Sequence, residues 1–201
     1  MANSSKNKKT QNEQDSASKK SKKGPSEKSK MNSGPDHSLN ELFLDGIKDL
    51  YWAENHLVKA IPKMIRSASN ESLISALTDH LNVTRSHIIR LEEVFGLLNE
   101  KVKAKKCDAM EGLSKEGEGI IEDTKAGTEA RDLGIIMASQ KVEHYEISSY
   151  TGLSNLAAKL GLSDISNLLV QTLNEEKESS DILSKIADGE ITYATSQGAN
   201  V

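Results

Sequence analysis

Glu54, His80, His87, Glu143, Glu146 and Glu176 each interrupt a stripe of apolar residues spaced three or four apart, where a helical core would otherwise form. Leaving water costs a carboxylate on the order of several kcal/mol unless it is paired or binds a cation. One such residue has a bland explanation: a histidine on an apolar stripe is commonly a hydrogen-bonded core residue, and Glu143 or Glu175 would be solvated at a stripe's edge. Polar interruptions on all four long stripes call for a shared reason. Hard oxygen donors from separate helices, completed by imidazole, form the ligand set of dinuclear iron or manganese sites in helical bundles. The chemistry such a site supports is redox chemistry.

The elements that carry these residues can be read from caps and periodicity. Ser38 and Glu41 form a capping box ahead of Leu42, Phe43, Ile47, Leu50 and Tyr51, which predicts a helix over about 39–68 with Glu54 on its apolar stripe. Pro62 lies inside that pattern and predicts a kink near 58–62. Asn70 caps a second helix reaching about Asn99, whose stripe of Leu73, Leu77, Leu91, Val94 and Leu98 is broken by His80, Thr84 and His87. Thr128 caps a third, closed by Gly161, on which Glu143 and Glu146 share a face with Ile136, Ser139, Tyr150 and Leu153. Ser163 caps a fourth ending near Gly189, with Glu176 following Ile165, Leu169 and Thr172.

Residues 100–127 break the rhythm, with glycines at 112, 117, 119 and 127 and a second capping box at Asp108 and Glu111. They read as a connector holding one or two short helices. Two antiparallel hairpins joined by a long connector describe an all-α, ferritin-like antiparallel four-helix bundle with a crossover. The competing arrangement, an up-down bundle with a large surface loop, has no need of about 28 connecting residues.

Reflecting positions through the turns sets Glu54 level with about residue 85 and Glu146 level with about residue 178, so the candidates fall in one zone. His80 and His87 are seven residues apart, about 10 Å along the axis, which predicts that one of them lies outside the first ligand shell. Tyr150, one turn beyond Glu146, is either a core residue or a hydrogen-bonding neighbour of the site. Lys105 and Lys106 beside Cys107 suggest an activated thiol, against the plainer reading of a buried anchor for the connector.

Composition sets the frame. With 3% aromatic residues the core must be aliphatic, which suits interdigitating helices. A single cysteine closes no intramolecular disulfide, no apolar run approaches a membrane span, and the N-terminus has no secretory apolar run, so a cytoplasmic address is expected. Residues 1–36 hold nine lysines against Glu13, Asp15, Glu27 and Asp36, a basic arm before an acidic remainder within a net charge of −4. So little apolar surface predicts a disordered tail over 1–37, a bundle over 38–190 and a flexible C-terminal tail over 191–201. Lysines without arginine or aromatic residues would attract phosphate without reading bases, while the acidic body opposes nucleic acid; a solubilising extension is favoured.

The segments LFLDGIKDLYWAENHLVKAIPKM, KCDAMEGL, QKVEHYEISSYTGL and QTLNEEKESSDIL resemble the YciF family of stress-associated, ferritin-like bacterial proteins over about residues 40–188. The resemblance implies a dimer-forming bundle, linked to osmotic and oxidative stress, with no defined reaction. It also implies carboxylate ligands at Glu54, Glu143, Glu146 and Glu176. The chain departs from the ferritin-like pattern twice: the Glu-x-x-His of the second helix reads Thr84, Arg85, Ser86, His87, and the His expected three residues after Glu176 is Ser179. Two functions are compatible with these residues. The first is a dinuclear iron or manganese protein acting on peroxide or oxidising iron; the second is a non-catalytic dimeric interaction protein with a degenerate site and a basic tail touching nucleic acid or acidic surfaces. Whether the chain is an enzyme stays open at this level. A homodimer is expected, with the third-helix flank of Met137, His144 and Thr151 as its contact.

Limited proteolysis of the full chain should remove roughly the first 35 residues and leave a fragment starting near Ser38, because Phe43 and Ile47 anchor the first helix in the core. An N-terminal arm as resistant as the body, by mass spectrometry of the digest, contradicts this division.

Overall fold

The structure, a computed structural model, describes residues 37–190; the basic arm and the C-terminal tail expected from the sequence lie outside them. Aliphatic residues at helical spacing build five helices: α1 (His37–Ser67), α2 (Glu71–Leu97), α3 (Asp108–Asp123), α4 (Glu129–Lys159) and α5 (Ser163–Glu190). The described residues form no strand, and none of their helices is long and apolar enough to cross a membrane.

Local chemistry fixes the ends. The Asn70 side chain accepts the Leu73 amide at 2.9 Å, Thr128 accepts the Arg131 amide, and Gly161 takes the positive φ (75°) that ends α4. Three caps differ from expectation, Ser163 being the first residue of α5 rather than the cap before it. α1 begins at His37, which places Ser38 within its first turn. α3 is capped by Cys107, whose Sγ accepts the Met110 amide at 3.4 Å, while Asp108 stands exposed as the first helical residue. α1 continues through Pro62 without interruption.

The long helices form a square in which α1 and α5 each neighbour both α2 and α4. Every edge is antiparallel. Gly46 lies against Leu153 and Met64 against Ser139 across α1 and α4. His80 meets Ser179 and Arg90 meets Thr172 across α2 and α5. This arrangement requires the chain to return along the bundle between α2 and α4, a path of about 46 Å for helices of this length. It does so along α1: the Lys105 amide donates to the Lys48 carbonyl, Lys63 pairs with Glu118, and Gly117 lies where a Cβ would strike the Met64 methyl. The chain thus folds as a ferritin-like antiparallel four-helix bundle whose crossover carries a short helix.

The core is divided along the bundle axis. One apolar cluster gathers Leu57, Ile61, Leu77, Ile135 and Leu183; the other gathers Phe43, Leu50, Leu91, Tyr150 and Leu169. Glu54, His87, Glu146 and Glu176 fall between them in sequence on all four helices.

The α1–α2 turn is tied to α4 by Asp132, whose buried carboxylate accepts both the Ser69 amide at 2.8 Å and the Ser69 hydroxyl at 2.6 Å. Asp132→Ala should therefore destabilise the bundle by about 2 kcal/mol, read as a lowered Tm and urea midpoint with helicity unchanged.

Candidate metal centre

α1 supplies Glu54, α2 His80 and His87, α4 Glu143 and Glu146, and α5 Glu176, and all six are buried. Each stands on the inward stripe of its helix, so the periodicity that builds the core also aims them at the bundle axis. They form two overlapping sets, His80 with Glu143, Glu146 and Glu176, and Glu54 with His87 and Glu176. Within a set, one ligand atom of each residue lies within 4.8 Å of every other. Glu176 belongs to both.

The imidazoles meet the cluster through different nitrogens. His87 Nε2 lies 2.9 Å from Glu175 Oε2, and Arg90 holds that carboxylate in a two-pronged pair at 2.8 and 3.1 Å. His87 Nδ1 faces inward, 2.9 Å from Glu176 and 3.4 Å from Glu54, so that a neutral ring with its proton on Nε2 and donated to Glu175 would present the Nδ1 lone pair to the centre. His80 is reversed: Nδ1 meets the Ser179 hydroxyl at 3.0 Å, and Nε2 faces Glu143 at 3.4 Å. Both histidines therefore reach the centre, against the expectation that one would lie outside. The seven-residue separation applies to their backbones, and the rings converge from either side of Thr84, whose hydroxyl bonds back to the His80 carbonyl at 2.9 Å.

Each of the six residues leaves at least one buried oxygen or nitrogen without a well-directed hydrogen bond. The only other such side-chain atom among the described residues is Ser114 Oγ. Glu146 has neither oxygen partnered. Buried polar atoms are rarely left this way, and here they gather in two overlapping sets that share Glu176. Tyr150, fully buried, donates to Glu54 Oε1 at 2.5 Å, so its hydroxyl is satisfied by a candidate ligand.

The electrostatics agree. Burial pushes the Glu143 carboxyl up to about 8 against the opposing pull of His80. Burial, reinforced by the negative charges of Glu176 and Glu54, carries Glu146 well above the carboxylate range. Glu176 is also raised by burial, despite its contact with His87. For His87 burial works the other way, yet Glu176 and Glu54 override it and raise its pKa to about 10.

The donor inventory matches the ferritin-like pattern even though its positions do not. That pattern draws one glutamate from each of two helices and a Glu-x-x-His from each of the other two, four carboxylates and two imidazoles in all. Here Thr84 and Ser179 stand where a Glu and a His belong; the second carboxylate of α4 and the second imidazole of α2 restore the count. Ser179 binds the histidine that replaces the missing one. Sequence reasoning missed the supporting roles of Arg90, Glu175 and Ser179. The available signals were Arg90 one turn after His87 and Glu175 adjoining Glu176.

Cys107 takes no part as an activated thiol. Burial raises its pKa, outweighing the hydrogen bond with Tyr145, and the neighbouring lysines are engaged elsewhere, Lys105 with Asp45 and Lys106 with Glu111. The buried-anchor reading holds.

These shifts give the metal-free chain a pH dependence. Groups whose folded pKa lies above the unfolded value lend stability at low pH and lose it as pH rises through the folded pKa. The raised glutamates, from 4.5 toward about 8 for Glu143, and His87, from 6.5 to about 10, act in the same direction. In chelator, the Tm should fall as pH is raised from about 5 to 8 and beyond. A Tm that climbs over that window, by calorimetry, contradicts the electrostatics described here.

Residues 38–196 match the family described as Domain of unknown function (DUF892). Protein YciF of Escherichia coli K12 is 42% identical over 151 residues, 75% of this chain and 90% of that one. The crystal structure of the E. coli stress protein YciF superposes with a TM-score of 0.74 at 40% identity, covering 78% of this chain and 98% of the other. YcfI of Rhodopseudomonas palustris gives a TM-score of 0.72 at 39% identity, covering 78% and 99%. A Xanthomonas campestris protein shares the fold alone, with a TM-score of 0.64 at 18% identity over 80% of this chain and 98% of that one. The chain therefore belongs to the DUF892 family and stands beside YciF within it.

Proposed function

We propose that this protein is a cytoplasmic, homodimeric dinuclear iron or manganese protein that consumes peroxide or oxidises ferrous iron under stress. The observation that carries the reading is Glu176, shared between two buried ligand sets whose donor atoms lack other partners. The donor set fits: carboxylate oxygens and imidazole suit iron and manganese, and four carboxylates balance the charge of two divalent ions. Glu54, His87 and Glu176 would hold one ion, and His80, Glu143, Glu146 and Glu176 the other. When bound, such ions supply the electron transfer that side chains alone do not.

The chain's own residues perform the rest. Glu175, fixed by Arg90, keeps the His87 proton on Nε2, and Ser179 orients His80. Tyr150 holds its proton against Glu54. Glu146, free of protein partners at both oxygens, is the carboxylate able to turn between coordinated and uncoordinated positions. The stress role is supported by the E. coli relative, whose crystal structure is that of a stress protein. The dimer contact fits the exposed α4 flank of Met137 (53% exposed), His144 and Thr151. Light scattering should give twice the chain mass at micromolar concentration; a monomer removes this part of the reading.

Elemental analysis of protein purified without chelator, then incubated with ferrous or manganous ions, is the decisive test. Wild type should hold close to two ions per chain and turn over peroxide or ferrous iron. Glu54→Gln, Glu143→Gln and Glu176→Gln should each lower occupancy sharply, Glu176→Gln most. In chelator the same variants should be as stable as wild type or more so, increasingly as pH rises and the raised carboxyls of the wild type must ionise in the core. Negligible metal in wild type favours the interaction-protein reading instead.

A further inference from the structure

The two ligand sets differ in their access to solvent. Between α2 and α5 lies a cavity of about 520 Å³ whose lining includes His80, Glu143 and Ser179. Val83 forms part of its apolar wall, and Asp79 and Glu178, both exposed, stand among its acidic lining. No lysine or arginine lines it. Glu175 also borders it, but its charge is already met by Arg90. His80 is 7% and Glu143 2% exposed, and His80 Nε2 and Glu143 Oε2 have no hydrogen-bond partner, so the cavity ends on two buried donors.

The Glu54–His87 set has no such opening. Glu54, His87 and Tyr150 are fully buried, and Tyr150 belongs to the apolar cluster of Phe43, Leu50 and Leu91 on that side. Neither Glu54 nor His87 lines the cavity. An ion held there would leave only past Glu176 or through a local opening of the core.

We propose that the α2–α5 cavity is the port by which divalent cations enter the centre, and that the His80–Glu143 position exchanges its ion with solvent while the Glu54–His87 position retains its own. The proposal rests on the dinuclear reading of the site. A mouth carrying Asp79 and Glu178 without a basic residue concentrates cations and repels anions, and focused fields of this kind raise association rates.

The test uses the full chain, stripped with chelator and loaded with Mn²⁺, with bound Mn²⁺ counted by atomic emission and its release to excess EDTA followed in time. Wild type should bind two ions and lose them in two phases, one per ion. Val83→Trp, which narrows the port without touching a ligand, should still bind two ions but slow the fast phase by about tenfold, whereas Val83→Ala should not slow it. Asp79→Asn combined with Glu178→Gln should slow loading by roughly threefold to tenfold at low ionic strength and have little effect at high salt. Two ions leaving wild type at a single rate overturns the asymmetry. An unchanged fast phase in Val83→Trp with two ions bound overturns the port alone. If Val83→Trp does not fold, the charge variants decide, and loading equal to wild type at low salt overturns the port. Less than one Mn²⁺ bound by wild type removes the dinuclear centre itself and the port with it.

Discussion

Four carboxylates withdrawn from water into one layer of a helical bundle set the terms for the rest of this molecule. Each costs on the order of several kcal/mol to bury as an anion, and together they repel one another. Protons relieve part of that cost, which is why Glu143, Glu146 and Glu176 hold them to unusually high pH and why His87 resists losing its own. Cations relieve it more completely, since a divalent ion offsets two charges and also satisfies the lone pairs that hydrogen bonds leave unmet. As plain core the layer carries costs that hydrogen bonds within the protein leave only partly offset.

The fold accommodates that layer by dividing the core. Apolar clusters on either side of it supply the burial that stabilises the bundle. The crossover matters for the same reason. Running the connector along α1 lets all four long helices meet as antiparallel neighbours, so that residues from the middle of each arrive at one level. Gly117 in α3 lets the connector lie close against Met64 on α1, and Cys107 anchors its start through the hydroxyl of Tyr145 at 2.9 Å.

Much of this was legible from the chain. Spacing of Leu and Ile located the four long helices, Asn70, Thr128 and Gly161 marked ends that the structure keeps, and the interrupted stripes named the six residues that converge. What escaped was set by side-chain direction. The 10 Å between His80 and His87 excluded one of them only while each ring was assumed to project straight inward, and ring orientation depends on Ser179 and Glu175 across the bundle. The start of α3 escaped for a related reason. Asp108 is the better cap by residue type, but Cys107 is the residue whose side chain the connector buries.

Ser179 shows how a motif can be lost while its donor types are kept. Placing histidine three residues after a glutamate is one way to put an imidazole beside a bridging carboxylate; placing it on the facing helix, at position 80, is another. The second way requires that position 179 be small enough to leave room and polar enough to hold the ring, and serine at 3.0 Å from His80 Nδ1 meets both conditions. Ser179 and His80 both line the α2–α5 cavity, which Glu54 and His87 do not. The two halves of this layer therefore differ in their contact with the cavity, a difference that the donor count alone does not reveal.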